Sequence, residues 1–338
     1  MTFFILAASS ILGAFGAWLV IRFGTSLGLV DIPNSRSSHT VPTPKGGGIG
    51  IVMAFITCAL FLKLSPLFWI PIVFLSIISL IGDSINISPN LRLILQFAIA
   101  FIVLLTNYNN FSFLIYLNQI SNLEIINAML FCSIAIFIVG TANFYNFMDG
   151  INGIAALTGI IAFCLLSIFG LVNNVENNWI ILSFALALAC LGFLPFNFPK
   201  AKVFMGDVGS IFLGFIYAII SLIMACTLGE FILLCSFLFP FYADELITMI
   251  ERIRDGQSLT KPHRRHLYQV LANEAGFPHW KISGFYGLFQ IVTSLIFWQA
   301  FRLGVWQFLT TISINIFLFI LVNNKLKKTV HNFTDPDK

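Results

Sequence analysis

Charge is what this sequence has least of. Only 9% of its 338 residues are Asp, Glu, Lys or Arg, against roughly 25% in an ordinary soluble domain. With 58% hydrophobic residues, that scarcity excludes a free-standing soluble fold. Cysteine chemistry is missing as well. The six cysteines, Cys58, Cys132, Cys164, Cys190, Cys226 and Cys235, all fall inside apolar runs, and none forms a C-x-x-C pair with His neighbours. They read as small apolar packing residues, not as metal ligands. No basic residue precedes the first apolar run, whose first Arg is Arg22 at its far end. A secretory signal has the reverse arrangement, so the run reads as an uncleaved helix with its N-terminus outside. No soluble domain, low-complexity tract or convincing internal repeat breaks the chain.

What is present is a series of about eleven apolar runs. They fall near residues 3–23, 47–64, 67–82, 91–106, 123–142, 153–172, 179–197, 209–228, 230–250, 282–301 and 305–323. A membrane-crossing helix needs about 20 mostly apolar residues. The expected fold class is therefore an all-α polytopic membrane protein of about 10–11 transmembrane helices. One integral-membrane domain over 1–324 would be followed by a short, disordered cytoplasmic tail, 325–338. With the N-terminus outside and eleven spans, Lys63 and Arg302 fall outside and the other 16 of the 18 basic residues fall inside. That is a strong positive-inside pattern. It implies a multi-pass membrane protein with its N-terminus outside and its C-terminus inside. The net charge of +4 is then a topology signal, with no nucleic-acid partner implied.

The acids sort with the bases. Asp83, Asp149, Asp207, Asp244 and Glu245 cluster at one set of helix ends. A transporter needs polar groups along a path, usually near the bilayer midplane, so this placement favours chemistry at the inner surface. Asp207, in Phe204-Met205-Gly206-Asp207-Val208-Gly209-Ser210, opens an apolar run. It reads equally as an N-cap and as a Mg²⁺ ligand, because Mg²⁺ takes one or two carboxylates plus phosphate oxygens. Asn143, Asn146 and Asp149 recur every third residue, on one helix face, and Asn152 continues the row past Gly150. Amides and a carboxylate in apolar surroundings are costly without partners, which favours a polar ligand such as a nucleotide or sugar over a helix–helix hydrogen-bond row. Gly82-Asp83-Ser84 reads equally as an interfacial cap.

Two basic segments complete the set. Lys261-Pro262-His263-Arg264-Arg265-His266 suits a diphosphate, with anionic lipid as the alternative. Pro44-Lys45-Gly46-Gly47-Gly48 could cradle phosphate through backbone N–H groups or allow close helix packing.

Taken in order, these blocks resemble the polyprenyl-phosphate N-acetylhexosamine-1-phosphate transferase family, glycosyltransferase family 4, over about residues 28–280. The N-x-x-N-x-x-D-G and F-M-G-D-x-G-S blocks are the most specific parts. The His263–Gln269 block looks more like the branch that initiates O-antigen and related surface polysaccharides than like phospho-muramoyl-pentapeptide translocase. The resemblance implies transfer of a sugar-1-phosphate from a UDP-N-acetylaminosugar to undecaprenyl phosphate in the lipid bilayer, giving undecaprenyl-diphosphate-sugar and UMP. It implies Mg²⁺, for which Mn²⁺ would substitute, with Asp207 as the main ligand and Asp83 at the lipid-phosphate and metal centre. Gly150, Ile151 and Asn152 would lie near the uridine, with Asn143, Asn146, Asp149 and Lys45 also binding substrate. His266 would be catalytic at the diphosphate, beside His263, Arg264 and Arg265. A homodimer is left open. One departure stands out: Ser84 occupies the position where the family usually has a second aspartate.

Overall fold

A computed structural model describes residues 2–33, 37–85, 87–111, 115, 124–258 and 263–334. The basic residues Arg36, Lys261 and Lys338 of the topology count lie outside them. Thirteen α-helices account for most of the described chain. They are α1 (Thr2–Phe23), α2 (Ile49–Phe61), α3 (Pro66–Ser84), α4 (Pro89–Thr106), α5 (Glu124–Phe147), α6 (Ile154–Val172), α7 (Asn177–Asn197), α8 (Asp207–Met224), α9 (Leu228–Ser236), α10 (Phe239–Arg254), α11 (Leu267–Asn273), α12 (His279–Leu303) and α13 (Val305–Thr334). The strands are two residues each, β1 (Val30–Asp31) and β2 (Thr43–Pro44), paired antiparallel. This is an all-α polytopic membrane protein.

Among the described residues nine helices are long and apolar enough to cross a membrane. The run expected at 230–250 is a broken span: α9 and α10 meet at 84°. The break lies at Phe237-Leu238, just before Pro240, which sits in the first turn of α10, where proline is tolerated because its missing N–H would be unpaired anyway. The run expected at 47–64 forms only the 13 residues of α2. With the broken span and the short helix added to the nine, each expected apolar run has a helical counterpart.

Helix starts follow local chemistry. Ser65 and Ser88 precede Pro66 and Pro89 at the starts of α3 and α4, and the Ser88 hydroxyl accepts from Leu91 N–H at 3.4 Å. Thr227 and Glu230 form a capping box on α9, satisfying two otherwise unpaired donors.

The bundle packs around α8, in which every residue from Val208 to Met224 is buried. Helices α3 and α5 lie against it, and α1 packs on α2 and α7. The α1–α7 contact depends on small residues. A Cβ at Gly13 would stand 2.0 Å from the Ala189 carbonyl oxygen, and one at Gly192 would stand 1.9 Å from that of Ser10. Between membrane helices, such close backbone approach supplies the packing energy that hydrophobicity cannot.

The C-terminal segment departs from the sequence expectation. Helix α13 continues through residue 334, so residues 325–334 are helical, not a disordered tail. Lys327 pairs with Glu251 of α10 at 2.8 Å, and Asn323 donates to the same carboxylate at 2.9 Å. These contacts tie the end of α13 to the end of α10. Residues 335–338 lie outside the described part.

Candidate active site

Helix ends, not helix middles, build the site. The Gly206-Asp207 step starts α8, with Gly206 at φ +75°. A Cβ there would stand 2.7 Å from Asp83 Oδ2 and 2.7 Å from the Gly46 nitrogen, so only glycine lets these three segments meet. The glycine-rich segment after β2 is pinned alongside. Phe204 N–H donates to Pro44 O at 2.8 Å, Gly47 N–H to Phe204 O at 2.9 Å, and Gly48 N–H to Met205 O at 2.9 Å. Lys45 is thereby held at the cavity, its Nζ 3.9 Å from Asp83 Oδ1.

Asp83 lies in the last turn of α3 and is buried. Its Oδ2 accepts from Val208 N–H at 3.4 Å, so a carboxylate from one helix serves the free N–H groups and positive dipole end of another. Asp207 accepts from Asn146 Nδ2 at 2.8 Å through Oδ1 and from the Arg92 guanidinium through Oδ2. Asn146 Nδ2 also lies 2.8 Å from Ser210 Oγ. Asn143 donates to Gln96 Oε1 at 2.6 Å.

Asp149 does not continue the helical row. Helix α5 ends at Phe147, and Asp149 lies in the turn beyond it, its N–H donating to Asn146 O at 3.1 Å. The turn breaks the three-residue spacing, and it redirects Asp149 towards Asp83 and Asp207. Burial, and then the neighbouring Asp207 and Asp83 carboxylates, push the Asp149 carboxyl well above its ordinary range. Asn152 follows, its N–H 3.3 Å from His279 Nδ1. Gly153 N–H donates to Asn197 Oδ1 at 2.7 Å.

These groups surround a cavity of about 330 Å³, within the size range of pockets that hold small ligands. Its lining brings together Lys45, Asp83, Asn146, Asp149, Gly150, Ile151, Asn152 and Asp207. Asn143, one turn back on α5, lies behind the lining. His39, Asn197, Phe204, Gln269 and His279 join it; Phe204 and Gln269 fall within the motif blocks, while Asn197 and His279 carry no sequence signal of a site. Arg92 was missed too, although Arg92 and Gln96 sit four residues apart in an apolar span. That spacing puts them on one face, and polar residues within a span signal function.

The His263–His266 segment is placed elsewhere. His266 is buried between two acids of α10, with Nε2 3.3 Å from Glu245 Oε2 and Nδ1 3.8 Å from Asp244 Oδ1, and it does not line the cavity. His263 lies beside it, with ring centroids 4.8 Å apart and planes tilted by 45°. Burial, and then the cations around it, lower the His263 imidazole to about 4. Arg265 pairs with Asp255 at 2.6 Å, and Arg264 is half-buried.

The cavity's acids offer only oxygen donors, the ligand type that suits Mg²⁺. Among the described residues no cluster of three or more His, Cys, Asp or Glu forms a ready cage.

Fold and site together define a multi-pass membrane protein with a carboxylate-lined cavity at one end of its helix bundle. Residues 65–225 match the family described as Glycosyl transferase family 4. The chain is 26% identical over 264 residues to a probable undecaprenyl-phosphate N-acetylglucosaminyl 1-phosphate transferase of Bacillus subtilis (strain 168), covering 75% of this chain and 72% of the relative. It is 28% identical over 318 residues to a decaprenyl-phosphate N-acetylglucosaminephosphotransferase of Mycobacterium leprae (strain TN), covering 81% and 77%. Over a shorter stretch of 195 residues, 51% of this chain and 52% of the relative, it is 37% identical to a phospho-N-acetylmuramoyl-pentapeptide-transferase of Prochlorococcus marinus. The similarity is thus to glycosyl transferase family 4 over residues 65–225 and to relatives named as polyprenyl-phosphate sugar-phosphate transferases.

Proposed function

We propose that this protein transfers a sugar-1-phosphate from a UDP-N-acetylaminosugar to undecaprenyl phosphate. An oxygen of the acceptor phosphate attacks the sugar-bearing phosphorus of the donor. One phosphoanhydride bond forms and another breaks, and UMP leaves with the bond's electron pair. The carrying observation is the convergence of Asp83, Asp149 and Asp207 with Lys45 and Asn146 in one cavity, from blocks far apart in sequence. The names of the relatives support a polyprenyl-phosphate acceptor and make N-acetylglucosamine the first donor sugar to test.

The acceptor needs little help from a base. A phosphate monoester has a second pKa of about 6, so it is mostly dianionic at neutral pH and a general base gains little. Positioning and charge neutralisation carry phosphoryl transfer. Asp207 and Asp83 are the residues to hold Mg²⁺, which supplies positive charge against the phosphate oxygens when bound. Lys45 supplies a fixed cation beside them. Asn146 orients Asp207, while Asp149 and Asn152 offer polar contacts to the donor. Ser84, at the family's usual second-aspartate position, is exposed and outside the cavity lining, which fits a reaction that dispenses with a second carboxylate there.

The 16-to-2 bias of basic residues supports a cytoplasmic cavity in a bacterial inner membrane, with the N-terminus periplasmic. In this reading the product initiates a lipid-linked surface polysaccharide such as O-antigen. The test is a membrane assay across a panel of UDP-sugars, scoring UMP and lipid-linked sugar. UMP release that requires both divalent cation and polyprenyl phosphate is the expected result. No UMP from any donor in the panel would overturn the proposal.

A further inference from the structure

Asp244 of α10 is 1% exposed, and four donors face its two oxygens. Leu267 N–H reaches Oδ1 at 2.8 Å and Thr248 Oγ1 lies 3.4 Å from it. Tyr286 Oη–H reaches Oδ2 at 2.7 Å and Tyr268 N–H at 3.4 Å. A buried carboxylate so supplied is a fixed point. Two of its donors are the first N–H groups of α11, so Asp244 caps that helix from another one.

Tyr268 is wholly buried. One face of its ring stacks on His266, with centroids 5.6 Å apart and planes 14° apart. Its hydroxyl donates to Phe147 O at 2.8 Å. Phe147 is the last residue of α5, where backbone carbonyls lack helical partners, and Asp149 follows two residues later. The same hydroxyl lies against Gly150: a Cβ there would stand 2.2 Å from Tyr268 Oη and 3.0 Å from the nearest ring carbons.

We propose that Tyr268, held by Asp244, is a positioning residue that fixes the Phe147–Gly150 turn and so sets where Asp149 stands in the cavity. Tyr268 does not line the cavity; its neighbour Gln269 does. The basic segment thus acts on the site through a neutral aromatic strut. The kinetic part of this inference rests on the proposed transfer reaction, whereas its structural part does not.

Two measurements on the full chain test it. In Tyr268→Phe the ring packing stays and the hydroxyl goes. Amide hydrogen exchange over residues 147–153 should rise about tenfold, the scale of one lost hydrogen bond, while residues 204–210 stay unchanged. Under the transfer assay, the same variant should raise KM for the UDP-sugar about tenfold and leave KM for polyprenyl phosphate unchanged. Gly150→Ala should lower turnover at least about a hundredfold, and adding Tyr268→Phe should recover about tenfold, a coupling expected of residues in contact. Unchanged exchange at 147–153 overturns the inference. So does an equal rise in both KM values, or a double variant no better than Gly150→Ala. If the unmodified chain transfers no sugar-phosphate, the proposed function falls and the exchange measurement alone decides the role of Tyr268. If Gly150→Ala fails to fold, the exchange and KM results of Tyr268→Phe decide it.

Discussion

Replacing Asp207 by Asn separates the structural role of this residue from its chemical one. The side chain is nearly unchanged in size, and its oxygen can still accept from Asn146. Two favourable terms are lost. The ion pair with Arg92 joins side chains that are 24% and 33% exposed, so it is worth about 1 kcal/mol at most. A negative charge at the N-terminus of α8 adds about 0.3–1 kcal/mol. Together they are a small part of the roughly 5–15 kcal/mol that holds a typical domain folded. The variant should therefore accumulate in membranes, and its Tm in detergent should fall by no more than about 5 °C.

Turnover should behave quite differently. Removing one preorganised charge-stabilising group typically costs about 10²–10³ in kcat, or about 2.7–4 kcal/mol. The loss in Asp207→Asn should be at least that large, because the carboxylate is proposed to hold the ion. The assay is UMP release from UDP-sugar and polyprenyl phosphate at saturating divalent cation, run beside a thermal scan of the same preparation. Retention of more than about a third of wild-type turnover, with unchanged cation dependence, would refute the reasoning, since about tenfold is already only 1.4 kcal/mol. Equal losses of turnover and folded protein would assign Asp207 a capping role alone.

Three further outcomes are expected. Ser84→Ala should keep turnover within about threefold of wild type, because Ser84 is exposed and outside the cavity and surface changes rarely exceed about 0.5 kcal/mol; a hundredfold loss would mean that this position contributes to the chemistry. Gly206→Ala should lose turnover and lower Tm, because a Cβ would stand 2.7 Å from both Asp83 Oδ2 and the Gly46 nitrogen at a positive φ; wild-type values of both would contradict the close approach. For His263, lowered to about 4 by burial first and then by neighbouring cations, the unfolded chain binds a proton between its ordinary value of about 6.5 and 4 that the folded chain does not. The stability it contributes is present above about pH 6.5 and lost as pH falls towards 4, so Tm should drop less steeply over that window in His263→Gln than in wild type.

The spans were legible because long apolar runs leave few alternatives once backbone groups must be paired inside lipid. The two departures, the break before α10 and the short α2, depend on local geometry that hydropathy does not carry. The three carboxylates were legible for a related reason: charge is scarce here, so each acid at a helix end stood out. Their convergence was not. It depends on Gly206 letting Asp83, Gly46 and the start of α8 meet, a relation between segments more than a hundred residues apart. The ion pair of Arg92 has no local signal either, because its partner Asp207 lies 115 residues away.

The His263–Gln269 block shows where reading by charge falls short. Two His and two Arg described at one membrane face look like a phosphate site when their own segment is considered alone. In the fold, much of that charge is answered from within the chain: His266 by Asp244 and Glu245, and Arg265 by Asp255. The imidazole of His263, held near 4, is neutral at physiological pH. Asp244 and Glu245 precede His266 by about six helical turns' worth of chain, and no short-range pattern links them. Their pairing holds His266 against carboxylates of α10, outside the cavity lining. What the segment places beside the cavity is an amide, Gln269, which lines the space, and the hydroxyl of Tyr268, which donates to Phe147 O two residues before Asp149. The cations beside the cavity carboxylates are instead Lys45, near Asp83, and Arg92, on Asp207. Lys45, a cation of the cavity lining, is therefore expected to neutralise substrate phosphates, with the turn at Asp149 supplying orientation.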